Sequence, residues 1–244
     1  MPNFKIDISY DGTDFFGWQI QKNARTVQGE LTDAFSTVFS KHKINLIGSG
    51  RTDTGVHASH QTANINIDTN LTCENIKNAI NSNIGNDVRV NSCKIVDSRF
   101  NSRFSAISRE YIYIVDNMKS PIKRNYHWMI EEKFDFNLLN DCAEKIIGLH
   151  DFSSFCKEKS LKENNECEVT YSKWTYDENK YFYKIVGNRF LHHMVRFLVG
   201  TMIEVGKSKI KFEDFCKLLK NKKKSNLIMK APPCGLYLNN VYYD

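Results

Sequence analysis

No stretch of the chain approaches the ~18 consecutive apolar residues of a membrane-spanning helix. Residues 1–7 also lack the basic-then-apolar form of a signal peptide. A cytoplasmic protein with no membrane partner is the expectation. Cysteine pairs of the Cys-x-x-Cys kind are missing. The seven cysteines (Cys73, Cys93, Cys142, Cys156, Cys167, Cys216 and Cys234) are odd in number and scattered. That argues against a disulfide framework or a zinc cluster, and reduced, mostly structural thiols are expected. The helical His-Glu-x-x-His pair of a metalloprotease is absent. His57 and His60 fall on a loop entering a strand, and His192 and His193 are expected on different faces of a helix, so no metal site is expected. No Gly-x-Ser-x-Gly elbow supports a serine nucleophile. Gly48-Ser49-Gly50-Arg51 lacks the lysine of a phosphate loop and the third glycine of a dinucleotide site, so no nucleotide cofactor is implied.

What is present is a globular composition: 244 residues, 41% apolar and 25% charged. A chain this long buries about 70–75% of its unfolded surface without staples. Net charge is +6, from 34 Lys and Arg against 28 Asp and Glu. Basic residues gather at Lys119, Lys123 and Arg124 and at Lys217, Lys220, Lys222, Lys223 and Lys224. This permits nucleic-acid binding without requiring it, since either group alone reads as a solvated face.

The first hundred residues alternate between strand and helix patterns. Phe4, Ile6 and Ile8 share one face of a strand at 3–10, which ends in the Asp11-Gly12-Thr13 turn. Phe15, Phe16 and Trp18 follow on a loop, as a plug for the core or as a stacking surface. Thr26 caps a helix over 27–39 with the stripe Val27, Leu31, Ala34, Phe35 and Val38. Strands are expected at 43–47 and 61–68, a helix capped by Thr72 at 73–82, and a strand at 87–97. The order β-α-β-β-α-β is the ferredoxin-like pattern, an α+β plan with an antiparallel sheet. The basic and aromatic segment 99–104 marks a boundary, giving domains 1–104 and 105–244.

In the second half, Tyr111, Tyr113 and Val115 share one face of a strand at 108–115. A helix is expected at 134–147 with Gly148 as its cap, then a loop at 150–155. The charged segment 157–166 reads as an exposed, mobile loop. A hairpin joins 169–176 to 180–186. The helix at 191–205 is apolar almost all round, so Arg196 in its middle needs a partner or must reach the surface. A short amphipathic helix at 212–220, a basic loop at 222–224 and a turn-plus-strand at 231–238 complete this half.

Between the strands at 43–47 and 61–68 lies Gly48-Ser49-Gly50-Arg51-Thr52-Asp53-Thr54-Gly55-Val56-His57. Glycines let a backbone take positive φ and pack closely. Such a loop can hold one carboxylate in a fixed pose, or be a plain surface turn. Aspartate is ionised at pH 7, with an unperturbed pKa near ~3.9, and can attack carbon without a base. Asp53 is therefore the candidate nucleophile, with Arg51 nearby on the same loop and Arg196 as candidate partner.

Six blocks together resemble the tRNA pseudouridine synthase A family. They are Tyr10-Asp11-Gly12 with Phe16-Gly17-Trp18-Gln19-Ile20-Gln21; Thr26-Val27-Gln28-Gly29-Glu30-Leu31; Gly50-Arg51-Thr52-Asp53-Thr54-Gly55-Val56-His57-Ala58; Arg109-Glu110-Tyr111-Ile112-Tyr113; Asn188-Arg189-Phe190-Leu191-His192-His193-Met194-Val195-Arg196; and Ala231-Pro232-Pro233-Cys234-Gly235-Leu236-Tyr237-Leu238. They keep the family's order and span the chain. Thr54 stands where alanine is usual, and Phe197 where asparagine is common.

The resemblance implies that Asp53 is the nucleophile that isomerises uridines 38, 39 and 40 of the tRNA anticodon stem-loop. Attack falls at C6 of the base or C1′ of the ribose, or a glycal route begins by elimination. The base detaches, rotates and rejoins through C5, with no metal or cofactor. It further implies that Tyr111 stacks on the target base and assists proton transfer, and that Arg196 pairs with Asp53. Arg51 would hold the nucleotide out of its helix, and Leu236 would form an apolar wall beneath the base. The implied fold is two ferredoxin-like halves whose antiparallel sheets join into one extended sheet, with the cleft between them. The implied assembly is a homodimer that also grips the tRNA body. A non-catalytic RNA-binding protein or tRNA chaperone on the same fold, and an RNA hydrolase, are the rival classes.

Overall fold

The computed structural model describes residues 1–223 and 225–244; of the 222–224 lysines, Lys224 lies outside the described residues. Its strands are β1 (Asn3–Tyr10), β2 (Ile47–Gly48), β3 (His57–Asn66), β4 (Val88–Val96), β5 (Ser108–Asp116), β6 (Trp128–Met129), β7 (Gly148–Asp151), β8 (Glu166–Asp177), β9 (Lys180–Gly187) and β10 (Leu236–Tyr242). Its helices are α1 (Val27–Val38), α2 (Cys73–Asn81), α3 (Phe136–Lys145), α4 (Met194–Gly206) and α5 (Phe212–Lys220). None of the described helices is long and apolar enough to cross a membrane. The chain is mixed α and β and forms two compact units, Met1–Ile107 with Tyr237–Asp244, and Ser108–Leu236.

In the first unit β1 lies between β4 and β3, antiparallel to both; β2 pairs antiparallel with β3, and β10 pairs parallel with it. Alternation sorts β1 into two faces. Phe4, Ile6, Ile8 and Tyr10 are buried, together with Val27, Leu31, Ala34 and Phe35 of α1 and Ile76 and Ile80 of α2. On the other face Asp7 accepts from Ser92 Oγ at 2.6 Å and Thr62 Oγ1 at 3.0 Å, with His60 Nε2 at 3.2 Å. Both helix caps form as expected: Thr26 accepts from Gly29 N–H, and Thr72 from Asn75 N–H. The strand expected at 43–47 shrinks to β2, and the Leu46 carbonyl just before it accepts from Gln28 Nε2 at 2.9 Å.

In the second unit the strands run β5-β9-β8-β7, antiparallel at each step, with β6 parallel to β5. Tyr113, Val115, Trp174, Tyr183 and Ile185 pack with Leu139, Met202 and Phe215 of the helices, all buried. Helix α3 is shorter than the 134–147 pattern. Asp135 caps it by accepting from Asn137 and Leu138 N–H, and Ile146 takes the C-cap expected of Gly148. Gly148, at φ +110°, instead turns the chain into β7, whose second half falls in the 150–155 segment expected to be loop. Segment 157–166 is largely exposed, but it carries a 3-10 turn at Glu158–Ser160 and ends on buried Asn165. Helix α4 starts at Met194, later than expected, because His193 adopts a left-handed φ of +66° that a helix cannot propagate.

Candidate active site

Asp53 sits in a tight turn closed by Val56 N–H donating to the Asp53 carbonyl at 3.1 Å. The third residue of that turn is Gly55 at φ +74°, a conformation that favours glycine. The loop is fastened on both sides. Ser49 N–H donates to the Thr62 carbonyl at 2.8 Å, Ser49 Oγ to Gln61 Oε1 at 2.5 Å, and Gln61 Nε2 to the Gly50 carbonyl at 3.0 Å. Thr52, buried, shares a 2.8 Å hydroxyl bond with Tyr10.

The segment that follows β1 braces the loop from the other side. Trp18 N–H donates to the Thr52 carbonyl at 3.1 Å, and Gly55 N–H to the Phe15 carbonyl at 3.3 Å. Gly17 makes the approach possible, because a Cβ there would lie 2.5 Å from the Thr52 carbonyl oxygen. Gly48 likewise leaves room for the Trp18 ring, which a Cβ would meet at 2.5 Å. The two backbone hydrogen bonds join residues far apart in the sequence, so no residue pattern announces them. By residue type, Phe15, Phe16 and Trp18 each suit a core plug or a stacking surface. The structure divides them: Phe15 and Trp18 are buried at 1% and 2% exposure, and Phe16 is 56% exposed.

His57 closes the loop. Gly12 N–H lies 3.0 Å from its Nδ1. Its ring stacks on Tyr237 with centroids 4.7 Å apart, where β3 and β10 pair residue for residue. Asp11 lies 3.1 Å away and is satisfied by Thr13 through its N–H and hydroxyl. Within this unit the backbone of Asp53 is thus held by the two strands flanking its turn and by the 12–18 segment. Arg51, on the same loop, is exposed.

The other candidates belong to the second unit. Tyr111 is on β5, buried, and meets Phe190 edge-on at 5.2 Å. Arg196 is in the first turn of α4 and only 7% exposed, which answers the choice between partner and surface. Its Nε donates to the Ala231 carbonyl at 2.9 Å, and Ala231 N–H donates to the Arg196 carbonyl at 3.0 Å. Tyr113, two residues from Tyr111 on the same face, donates to the Pro232 carbonyl at 2.8 Å. Burial holds its hydroxyl well above the usual tyrosine range; Cys234 adds to the rise and the Arg196 charge opposes it. Gly235 packs against Tyr113, whose ring a Cβ would meet at 2.7 Å. Leu236, 5% exposed, follows directly and opens β10. His192 and His193 do not lie on opposite helix faces: both precede α4, with ring centroids 4.2 Å apart.

Comparison with known proteins agrees with the blocks. A family model described as tRNA pseudouridine synthase matches residues 7–105 and 142–244. A tRNA pseudouridine synthase A of Dictyoglomus thermophilum is 39% identical, with all of both chains covered. One from a Thermoanaerobacter species is 40% identical over the same full extent, and one from Bacillus subtilis 36% identical over 98% of each chain. With a braced aspartate loop, a buried arginine and full-length identity of this order, the chain belongs to the tRNA pseudouridine synthase family.

Proposed function

We propose that this chain isomerises uridine to pseudouridine at positions 38, 39 and 40 of the tRNA anticodon stem-loop, with Asp53 as nucleophile. The observation that carries the reading is the braced turn that holds Asp53 inside the Gly-Arg-Thr-Asp-x-Gly-Val-His block, in a chain of this family. Asp53 attacks at C6 of the base, at C1′ of the ribose, or begins elimination to a glycal. The N1–C1′ bond breaks, the base turns, and a C5–C1′ bond forms as the C5 proton leaves. The reaction is an internal rearrangement that calls on no metal, cofactor or energy source.

Tyr111 stacks on the target base and assists proton transfer, supported by its near-complete burial on a rigid strand. Arg196 pairs with Asp53, supported by the burial of its side chain at 7% exposure, since a guanidinium taken out of water needs an opposite charge. Arg51 holds the nucleotide out of its helix, and Leu236 lies beneath the base. Extracting a stacked base costs a few kcal/mol, which aromatic stacking of ~1–3 kcal/mol per base offsets.

The fold reading is two ferredoxin-like halves whose sheets join, with the site between them. The first unit supports it through its β-α-β-β-α-β order. The protein acts in the cytoplasm as a homodimer that also contacts the tRNA body, gripping phosphates with dispersed Lys and Arg. Tritium release from 5-tritiated uridine in tRNA tests the reading. Asp53→Asn is expected to abolish release while tRNA binding persists, and release at the wild-type rate would refute it. An RNA hydrolase would shorten the tRNA, and a chaperone would release no tritium.

A further inference from the structure

Phe16 is an apolar ring left outside a backbone that is otherwise held on every side. Its N–H donates to the Arg25 carbonyl at 2.9 Å, and its carbonyl accepts from Gln21 Nε2 at 2.7 Å. Both sequence neighbours are packed inward against the Asp53 loop. The Phe15 carbonyl takes Gly55 N–H at 3.3 Å, and the Gly17 Cα faces the backbone of Thr52, Asp53 and Thr54. The Phe15 ring is buried, with the Arg25 guanidinium 4.2 Å from its centroid. Arg25 is itself clamped by Asp87 through two bonds of 2.6 and 3.0 Å, and by Glu30 at 3.0 Å. Phe16 therefore extends from a pre-organised platform, bracketed in sequence by two contacts to the loop that carries Asp53, with its ring 56% exposed.

One exposed aromatic alone means little. A rigidly mounted one beside a loop that handles RNA has a definite chemistry, because any nucleobase presents a π-face and loses little by stacking on a fixed ring. We infer that Phe16 is a binding residue that stacks on an unpaired nucleobase of the tRNA next to the target uridine. It steadies the strand while that uridine is displaced. Stacking is blind to base identity, which suits an enzyme acting on adjacent positions with differing neighbours. The inference rests on Asp53 being the reacting group.

The test uses full-length protein carrying Asp53→Asn, so that binding is read without turnover. The probe is a tRNA transcript with uridine at position 39. Phe16→Ala and Phe16→Leu are each expected to weaken binding about 5- to 100-fold, and Phe16→Trp or Phe16→Tyr to restore it. The ring is exposed, so thermal unfolding of these variants should match the parent. A second arm replaces loop nucleotides of the tRNA one at a time by abasic residues. At the stacked position the abasic change and Phe16→Ala should fail to add. Equal binding by the Ala and Trp variants, or additivity at every nucleotide, overturns the stacking role and leaves the Asp53 reading intact. Turnover by Asp53→Asn would instead overturn that reading, whatever Phe16 does.

Discussion

Arg196 and Ala231 hold each other by two reciprocal hydrogen bonds, side chain to carbonyl at 2.9 Å and N–H to carbonyl at 3.0 Å. The first turn of α4 is thereby stitched to the segment that leads into Pro233–Gly235 and Leu236. Next to this stitch Gly200 faces the Met229 carbonyl, which a Cβ would meet at 2.4 Å. The arginine thus positions backbone, apart from the charge it is proposed to supply.

Arg196→Lys should separate these roles. Lysine has no Nε donor in the guanidinium geometry, so the Ala231 carbonyl loses its partner, at about 1–3 kcal/mol. Turnover should fall about a hundredfold or more if the guanidinium also steadies developing charge. Urea unfolding reads the first effect and tritium release the second. A folded variant with wild-type release would remove Arg196 from the proposed machinery.

Of two glycines near Asp53, one should resist substitution and the other should tolerate it. Gly17→Ala forces a side chain onto φ +87° and 2.5 Å from the Thr52 carbonyl oxygen, costing about 2–4 kcal/mol and displacing the loop. Gly50→Ala meets nothing within 4 Å and should stay within about 0.5 kcal/mol of wild type. Thermal unfolding together with kcat on the same preparations checks both.

Asp7 should contribute to acid sensitivity. Burial alone would raise its pKa, but hydrogen bonds with His60 and Ser92 and the charge of Lys5 outweigh it and hold the carboxyl well below the usual range. A depressed carboxylate stabilises the fold above its unfolded pKa of about 3.9, and that contribution fades as pH falls toward the lower folded value. Asp7→Asn should therefore be less stable by about 1–3 kcal/mol at pH 7. The gap to wild type should narrow only below about pH 4. Urea titrations at pH 7 and pH 3 measure it; a gap that is unchanged or wider at pH 3 contradicts the assignment.

Two buried thiols, Cys142 and Cys167, should be quiet in the native protein. Burial pushes Cys142 up to about 12 and Cys167 up to about 11, and both are 0% exposed. Iodoacetamide at pH 8 should leave them unmodified in the folded protein and label them after denaturation, since the thiolate is the reactive species. Mass spectrometry of peptides reports each site. Rapid native labelling of either would show that its packing opens.

Elements set by neighbours a few residues apart were legible. Thr26 and Thr72 cap the helices they precede, and Phe4, Ile6 and Ile8 turn inward from β1 by alternation alone. A boundary failed where a single local geometry intervened: the left-handed His193 delays α4. Asp53, Tyr111 and Arg196 stood out as residues, because charge and aromaticity in unusual places are written in side chains.

By itself, the sequence determined the family and most of the helix and strand types, which depend on side-chain identity and short-range period. Tertiary structure alone decided how Asp53 is held. The Gly17 and Trp18 backbone meets Thr52, and the Phe15 carbonyl takes Gly55 N–H, across a separation that carries no pattern. It also decided that Tyr237 returns at the chain's end to stack on His57, and that of three loop aromatics only Phe16 faces outward. All three are long-range placements that no local period encodes, and the first has a further reason. Backbone groups are the same in every residue, so which of them pair is set by where the folded chain brings them.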